Sequence, residues 1–130
     1  VYAIEAALGD AKIAAGDIDA IVPYASGVPH VDANEAAALR QVFGTRLKDI
    51  PLLTVIPNTG AAVAGVGGLQ LAAAAMAVRE QQLPARIHAG ACPADLQAGP
   101  VRARPASLRH VLVVTSALGG QNAALVLRRV

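Results

Sequence analysis

The sequence predicts an α/β fold that is incomplete on its own. Three features point to this: helices alternate with strands, a long uncharged helix follows the second strand, and the first helix has no strand before it. Such alternation is typical of parallel strands joined by helical crossovers. The 130 residues suit one modest domain, but two or three strands cannot cover an apolar helix on every side. We therefore expect residues 1–130 to form one partial domain of a larger body.

The first half of the chain predicts helix, strand and helix. Residues 2–15 carry apolar side chains at helical intervals before a glycine, and residues 20–24 form an apolar run typical of a buried strand. The segment 31–44 predicts a second helix, which ends in a glycine. In that segment Asp32 can cap the amino end, and Glu35 completes the spacing of a capping box.

The second half predicts a strand, a glycine-rich turn, a long helix and a hairpin. Residues 50–56 form a short apolar run typical of a strand. The uncharged stretch Ile56–Gly68 leads into a helix that ends near Glu80. After a possible short strand at 86–88 and a long irregular loop, two apolar runs joined by Gly119–Gly120 predict a β-hairpin.

Composition excludes several classes of protein. The chain is 55% hydrophobic, which excludes disorder, and its net charge of +2 is too small to favour nucleic acid. Ala61–Val78 has 18 residues without a charge, but Gln70, the glycines and the weakly apolar alanines favour a soluble core helix over a membrane span. The single cysteine, Cys92, cannot form an internal disulfide, so a cytoplasmic protein is expected. No metal is expected, because metal-ligand spacing is lacking among His30, His88 and His110.

Three stretches in sequence order give the chain a resemblance to a known family. They are "IDAIVPYASGVPHVDANEAAALRQVFG", "GAAVAGVGGLQLAAAAMAVREQQLPA" and "SALGGQNAALVL". Together they resemble the C-terminal half of the β-ketoacyl synthases, the thiolase-fold condensing enzymes, over nearly the whole chain. The resemblance implies the C-terminal half of a thiolase-like αβαβα fold, which is incomplete without the N-terminal half of the same fold. It implies no cofactor.

The resemblance also locates the positions at which active relatives carry catalytic residues. Tyr24 occupies the position of the first family histidine, Ile56 that of a lysine, and Ala61 that of the second histidine. In the family, two imidazole N–H groups stabilise the enolate oxygen that forms when a malonyl thioester loses CO₂. An alanine donates no such hydrogen bond, so no catalytic residue is expected in this chain. Cys92 does not match the family nucleophile, which belongs to the N-terminal half.

This pattern, in which the catalytic residues of the family are replaced, is similar to that of the chain-length-factor, or ketosynthase-β, subunits of type II polyketide synthases. The resemblance implies a non-catalytic subunit that pairs with an active ketosynthase in polyketide or fatty-acid-like elongation on an acyl carrier protein. No nucleic-acid or membrane partner is implied. The alternative is a divergent β-ketoacyl synthase or acyltransferase whose nucleophile lies in the missing N-terminal half. A small structural protein unrelated to thiolases is disfavoured, because a free-standing domain should cover its own helix.

Several of these positions also have a purely structural interpretation. Tyr24 can be a strand-end tyrosine with a locally bonded hydroxyl. Capping alone explains Asp32 and Glu35, although both match acidic positions of the family motif. Leu118 falls where active relatives place a gating phenylalanine, which makes Leu118 and Gly119–Gly120 candidates for the substrate tunnel. Ordinary strand packing explains an apolar residue there equally well.

Overall fold

The computed structural model describes residues 1–90, 93–117 and 119–130. The helices are α1 (Tyr2–Ala11), α2 (Pro29–Phe43), α3 (Ile56–Thr59) and α4 (Val66–Glu80). The strands are β1 (Ala20–Val22), β2 (Gln82–Leu83), β3 (Arg104–Pro105), β4 (His110–Ser116) and β5 (Asn122–Arg128). Short 3₁₀ turns lie at Ala15–Asp17, Gly44–Asp49 and Val63–Gly65.

The central sheet has the order β1-β4-β5. β1 and β4 are parallel, as predicted, and β4 and β5 form the predicted antiparallel hairpin. On the other side of β1, the predicted strand 50–56 is instead an extended segment that joins β1 through a parallel bridge between Leu52 and Ile21. A second parallel bridge joins Pro51 to Gln97. The Ile21 N–H donates to the Pro51 carbonyl (3.0 Å), and the Leu53 N–H donates to the Ile21 carbonyl (2.8 Å). Pro51 has no N–H to donate, which limits the pairing of this edge segment.

Helices pack on both faces of the sheet. Ile21 and Leu112 contribute to the apolar cluster beneath α1 and α2. Val22 and Val111 contribute to the cluster beneath α4, where Ala74 is fully buried. Successive strand residues therefore enter opposite cores, as the two-residue period of a strand requires when both faces are covered. The predicted α/β class is confirmed.

One stripe of α4 is buried and the rest of its surface is not. The buried residues lie about one turn apart and face the sheet. On the remaining surface, Leu69 is 40% exposed, Leu71 37% and Met76 57%. A helix with apolar residues all round normally has cover all round, so this face agrees with the expectation of a partial domain. Among the described residues, no helix is long and apolar enough to cross a bilayer.

Two predicted boundaries are wrong for local reasons. α1 ends at Ala11, earlier than predicted, because Lys12 adopts a left-handed conformation (φ 55°) and its N–H bonds back to the last turn. β1 ends at Val22 instead of reaching residue 24, because Pro23 offers no N–H for a further ladder hydrogen bond. The possible strand at 86–88 is a single bridge, and the short β2–β3 pair was not predicted.

Candidate functional site

The positions singled out from the sequence follow parallel elements of the sheet. β1, β4 and the extended segment at 51–53 are parallel, so their carboxyl ends lie at one edge. Tyr24 follows β1, Ile56 follows the extended segment, and Gly119–Gly120 follow β4. Ala61 lies in the turn beyond α3. Open α/β sheets bind ligands at this carboxyl edge, which makes it the candidate site.

A partly buried carboxylate fixes the start of the loop after β1. Glu35 of α2 accepts hydrogen bonds from the N–H groups of Tyr24 (2.7 Å) and Ala25 (2.9 Å). Burial raises the pKa of Glu35 above its ordinary value. The two N–H groups oppose this shift, and the nearby charge of Asp32 adds to it. Glu35 therefore orders the loop, although burial makes the charged form of its carboxylate less favourable.

A second carboxylate fixes the rest of the loop. Asp32 accepts hydrogen bonds from the Ser26 hydroxyl (2.8 Å) and the Gly27 N–H (3.0 Å). The predicted capping box is wrong, because α2 begins at Pro29 and Asp32 lies inside its first turn. Proline fits the first helical position, where no N–H is needed. Asp32 and Glu35 instead reach back across the gap between β1 and α2.

The loop keeps an unfavourable backbone conformation. Ala25 has φ 43°, a left-handed value that costs a residue with a Cβ about 1–2 kcal/mol. Its N–H is held by Glu35, which offsets that cost. The Tyr24 side chain is half-buried, and its hydroxyl makes no hydrogen bond to the described part of the chain. Backbone contacts rather than the Tyr24 hydroxyl therefore hold this loop.

The turn that carries the second degenerate position is held locally. α3 is a single turn that ends at Thr59, and the next residue, Gly60 (φ 76°), caps it through an N–H that donates to the Ile56 carbonyl (2.8 Å). The Thr59 hydroxyl donates to the Val55 carbonyl (3.2 Å). Ile56 is buried, whereas Ala61 is exposed. Of the two positions predicted from the resemblance, Ile56 is thus a core side chain and Ala61 presents an exposed methyl group.

The turn of the hairpin has the geometry that a glycine pair allows. Gly119 and Gly120 have φ 86° and 80°. The Asn122 amide donates to the Gly120 carbonyl (2.9 Å) and accepts from the Ser116 hydroxyl (2.8 Å). Leu118, the proposed gate residue, lies outside the described residues, as does Cys92.

Gln70 is the site residue that sequence reasoning missed. It is 0% exposed in the middle of α4, and its side-chain amide donates to the Pro23 carbonyl (2.7 Å) and the Val114 carbonyl (2.9 Å). These carbonyls lie at the carboxyl ends of β1 and β4. A signal was present in the sequence, because Gln70 is the one polar side chain in the stretch Ala61–Val78. A polar residue in so apolar a helix is expected to have buried partners.

A cleft of about 630 Å³ is lined in part by the first loop and by α2. An ion pair between Arg40 of α2 and Asp95 of the late loop lies beside it, and the hydrogen bond from Arg40 lowers the pKa of Asp95. Among the described lining residues, none is a degenerate catalytic position. The lining includes Ala25, Glu35, Leu39, Leu52, Thr54 and Leu96.

The three histidines differ in exposure and in their contacts. His30 and His88 are exposed, whereas His110 is buried with its Nδ1 3.2 Å from the Asp17 carbonyl oxygen. Within residues 1–90, 93–117 and 119–130, no group of three or more His, Cys, Asp or Glu side chains is arranged to hold a metal ion. The carboxyl edge thus offers amide, hydroxyl and carboxylate groups for hydrogen bonding.

Comparison with known proteins identifies the chain's relatives. A family described as β-ketoacyl synthase, C-terminal domain, matches residues 1–90. The ketoacyl synthase β subunit of the tetracenomycin polyketide synthase of Streptomyces glaucescens is 37% identical over 129 residues, which cover 98% of this chain and 31% of that protein. The chain thus spans 31% of the length of that curated relative.

Solved structures give the same result for the fold. The ishigamide ketosynthase/chain length factor superposes with a TM-score of 0.90 and 29% identity, over 98% of this chain and 32% of that one. A type II polyketide synthase acyl-carrier protein in complex with its ketosynthase bound to the hexaketide gives a TM-score of 0.87 and 25% identity, again over 98% and 32%. The predicted thiolase-like fold, present in part, is confirmed.

Proposed function

We propose that this chain, which belongs to the β-ketoacyl synthase C-terminal domain family, is part of a non-catalytic ketosynthase-like subunit, a chain-length factor. The subunit pairs with an active ketosynthase in type II polyketide or fatty-acid-like elongation on an acyl carrier protein. Support comes from the likeness to a ketosynthase β subunit and to a ketosynthase/chain length factor. The complex of an acyl-carrier protein with its ketosynthase supports the carrier as a partner.

The observation that carries the proposal is the set of side chains at the degenerate positions. Decarboxylation of a malonyl thioester requires hydrogen-bond donors directed at the enolate oxygen. Ala61 has no donor, and Ile56 is a buried apolar side chain where the family has a lysine. Loss of one such donor lowers the rate on the order of 10²–10³-fold. The Tyr24 hydroxyl alone does not replace two imidazoles, so condensation belongs to the partner ketosynthase.

The exposed surface of α4 is where the missing N-terminal half would pack. Leu69, Leu71 and Met76 form an apolar face on a helix whose opposite stripe is buried against the sheet. Burial of such a face contributes about 25 cal/mol for each Å² removed from water. The N-terminal half of the same fold is thus proposed as the first partner of this chain, and the active ketosynthase as the second.

The turn after β4 is proposed to line the substrate tunnel, with Leu118 as its gate. Gly119 and Gly120 have positive φ values that disfavour larger residues, and Leu118 is proposed as the residue whose volume sets the gate. Leu118→Phe should shorten the products or slow their release, and Leu118→Ala should lengthen or broaden the distribution. Overfilling a packed site costs about 1–3 kcal/mol, so assembly must be verified before product lengths are measured by mass spectrometry. Unchanged distributions for both variants in an assembled complex contradict the gate.

Reconstitution tests the proposed function. The full-length subunit is combined with its ketosynthase and malonyl-loaded acyl carrier protein, and products are compared with those of a mixture that lacks the subunit. Products of defined length should require both subunits, and Tyr24→Phe should leave them unchanged because no chemistry is assigned to that hydroxyl. If the full-length subunit elongates chains without the ketosynthase, the chain belongs to a divergent synthase with its nucleophile in the N-terminal half.

A further inference from the structure

We propose that Gln70 is a positioning residue that holds the carboxyl edge open between β1 and β4. Its consequence for chain length rests on the proposed function, but its geometry does not. Gln70 is fully buried, and one nitrogen, Nε2, donates to the carbonyl oxygens of Pro23 (2.7 Å) and Val114 (2.9 Å). A single side-chain amide thus joins the ends of two neighbouring strands.

The ladder between β1 and β4 ends at Val22 and Val113, before β1 supplies a donor for the Val114 carbonyl. β1 ends directly before Pro23. In a continued parallel ladder, the next donor from β1 to the Val114 carbonyl would be the Tyr24 N–H. That N–H donates to Glu35 instead (2.7 Å). Gln70 therefore replaces the ladder donor, which lets β1 turn away from β4 without leaving a buried carbonyl unpaired.

The orientation of the Gln70 amide follows from its partners. Both partners are acceptors, so the nitrogen must face them, because the oxygen would repel two carbonyl oxygens. The remaining Oε1 is buried and has no partner among the described residues. A buried acceptor without a donor destabilises a core, and a methionine of similar shape would avoid that cost. Gln70 therefore contributes the two N–H donors of its side-chain amide.

The Gln70 amide with its two hydrogen bonds, called the brace below, sets the relative position of the two chain segments that flank the carboxyl edge, called its walls. Pro23 leads into the loop that contains Tyr24, and Val114 lies in the strand that leads to Gly119–Gly120. Because both carbonyls bind one side chain of α4, the two walls are held at a fixed separation. Without the amide, the loop after Pro23 loses its link to β4 beyond the last paired residues, Val22 and Val113, and the space available to a growing chain is no longer defined.

Hydrogen exchange of the full-length subunit in its complex tests the brace directly. Gln70→Met removes both donors with little change of shape. Amides of residues 24–28 should then exchange at least about tenfold faster, because each lost hydrogen bond changes an opening equilibrium by up to about tenfold. The matched control is Gln81→Met, because Gln81 donates to the carbonyls of Val78 (2.7 Å) and Leu108 (2.8 Å) at the other end of α4. That control should leave exchange of residues 24–28 unchanged. Equal exchange of this segment in Gln70→Met and wild type overturns the brace.

Measurement of product length distinguishes a positioning role of Gln70 from a role in stability alone. Gln70→Met should broaden the product distribution, whereas Gln81→Met should keep the wild-type distribution. Gln70→Glu should give an intermediate result, because a neutral acid in that buried position donates one O–H where the amide donates two N–H groups. Faster exchange with unchanged products overturns the positioning role and leaves the proposed function intact. If omission of the wild-type subunit leaves the products unchanged, the proposed function fails, while the exchange experiment still decides the brace.

Discussion

The loop that contains Tyr24 and the turn that contains Ala61 hold their shape in different ways. The loop after β1 is tied to α2, because Asp32 and Glu35 accept hydrogen bonds from its backbone and from Ser26. The hydrogen bonds described for the turn at 60–65 are local, such as that from the Gly65 N–H to the Ala62 carbonyl (2.8 Å). The first loop is thus tied to a separate helix of this chain, whereas the described hydrogen bonds of the second turn stay within the turn itself.

The contacts that hold the first loop do not depend on which side chain stands at residue 24. The carboxylate of Glu35 binds the N–H groups of Tyr24 and Ala25, which any residue except proline provides. The identity of the side chain at Tyr24 is therefore independent of the contacts that hold the loop. The turn around Ala61 has exposed apolar neighbours, including Val63 (86% exposed).

The largest expected effect comes from removing the anchor of the first loop. Glu35→Ala removes two hydrogen bonds to a partly buried carboxylate, and we expect it to lower the free energy of unfolding by about 2 kcal/mol. Urea unfolding of the full-length subunit measures this change. Asp10→Ala, at an exposed position on α1, is the control and should have little effect. Equal stability of Glu35→Ala and the control would remove the distinction between the loops.

The electrostatic cost of that anchor predicts a dependence on pH. Burial raises the folded-state pKa of Glu35 above its ordinary value near 4.5, so the folded protein binds this proton more tightly than the unfolded chain does. The stability that protonated Glu35 contributes is fully present below the ordinary pKa of a glutamate. It is lost as the pH rises through the raised pKa of the folded state. The free energy of unfolding of wild type minus that of Glu35→Gln should therefore fall across this range. Urea unfolding at several pH values measures it, and a difference that rises with pH contradicts the assignment.

The smallest expected effect is in the second loop. The Thr59 hydroxyl bonds to the Val55 carbonyl within the same turn (3.2 Å) and is exposed. Thr59→Val keeps the shape and removes this local contact, so we expect a change within about 0.5 kcal/mol in urea unfolding. A loss as large as that of Glu35→Ala would mean that the second loop is also anchored by its side chains.

Sequence patterns predicted the parts of the fold that depend on local periodicity and on glycine. The second helix, the parallel pairing and the hairpin with Gly119–Gly120 were predicted, since each has a local signal. The patterns failed where long-range contacts decide the outcome. Asp32 and Glu35 have the spacing of a cap but bind a loop that precedes the helix. Gln70 has partners 47 and 44 residues away in sequence, and spacing does not reveal such partners.

The site itself was predicted through resemblance rather than through chemistry. Tyr24, Ile56 and Ala61 carry no signal of their own, and family positions alone single them out. The topology explains why the positions that follow parallel strands meet at one edge. The roles of the tunnel residues remain predictions, because volume and gating depend on the assembled complex.

Malonyl decarboxylation measures the central claim most directly. The full-length subunit, containing this chain and its own N-terminal half, is incubated with malonyl-loaded acyl carrier protein in the absence of the active ketosynthase, and release of CO₂ is followed. Because Ala61 and Ile56 cannot stabilise the enolate, the account predicts release no faster than from the loaded carrier protein alone. Turnover comparable to that of an active ketosynthase would contradict the account.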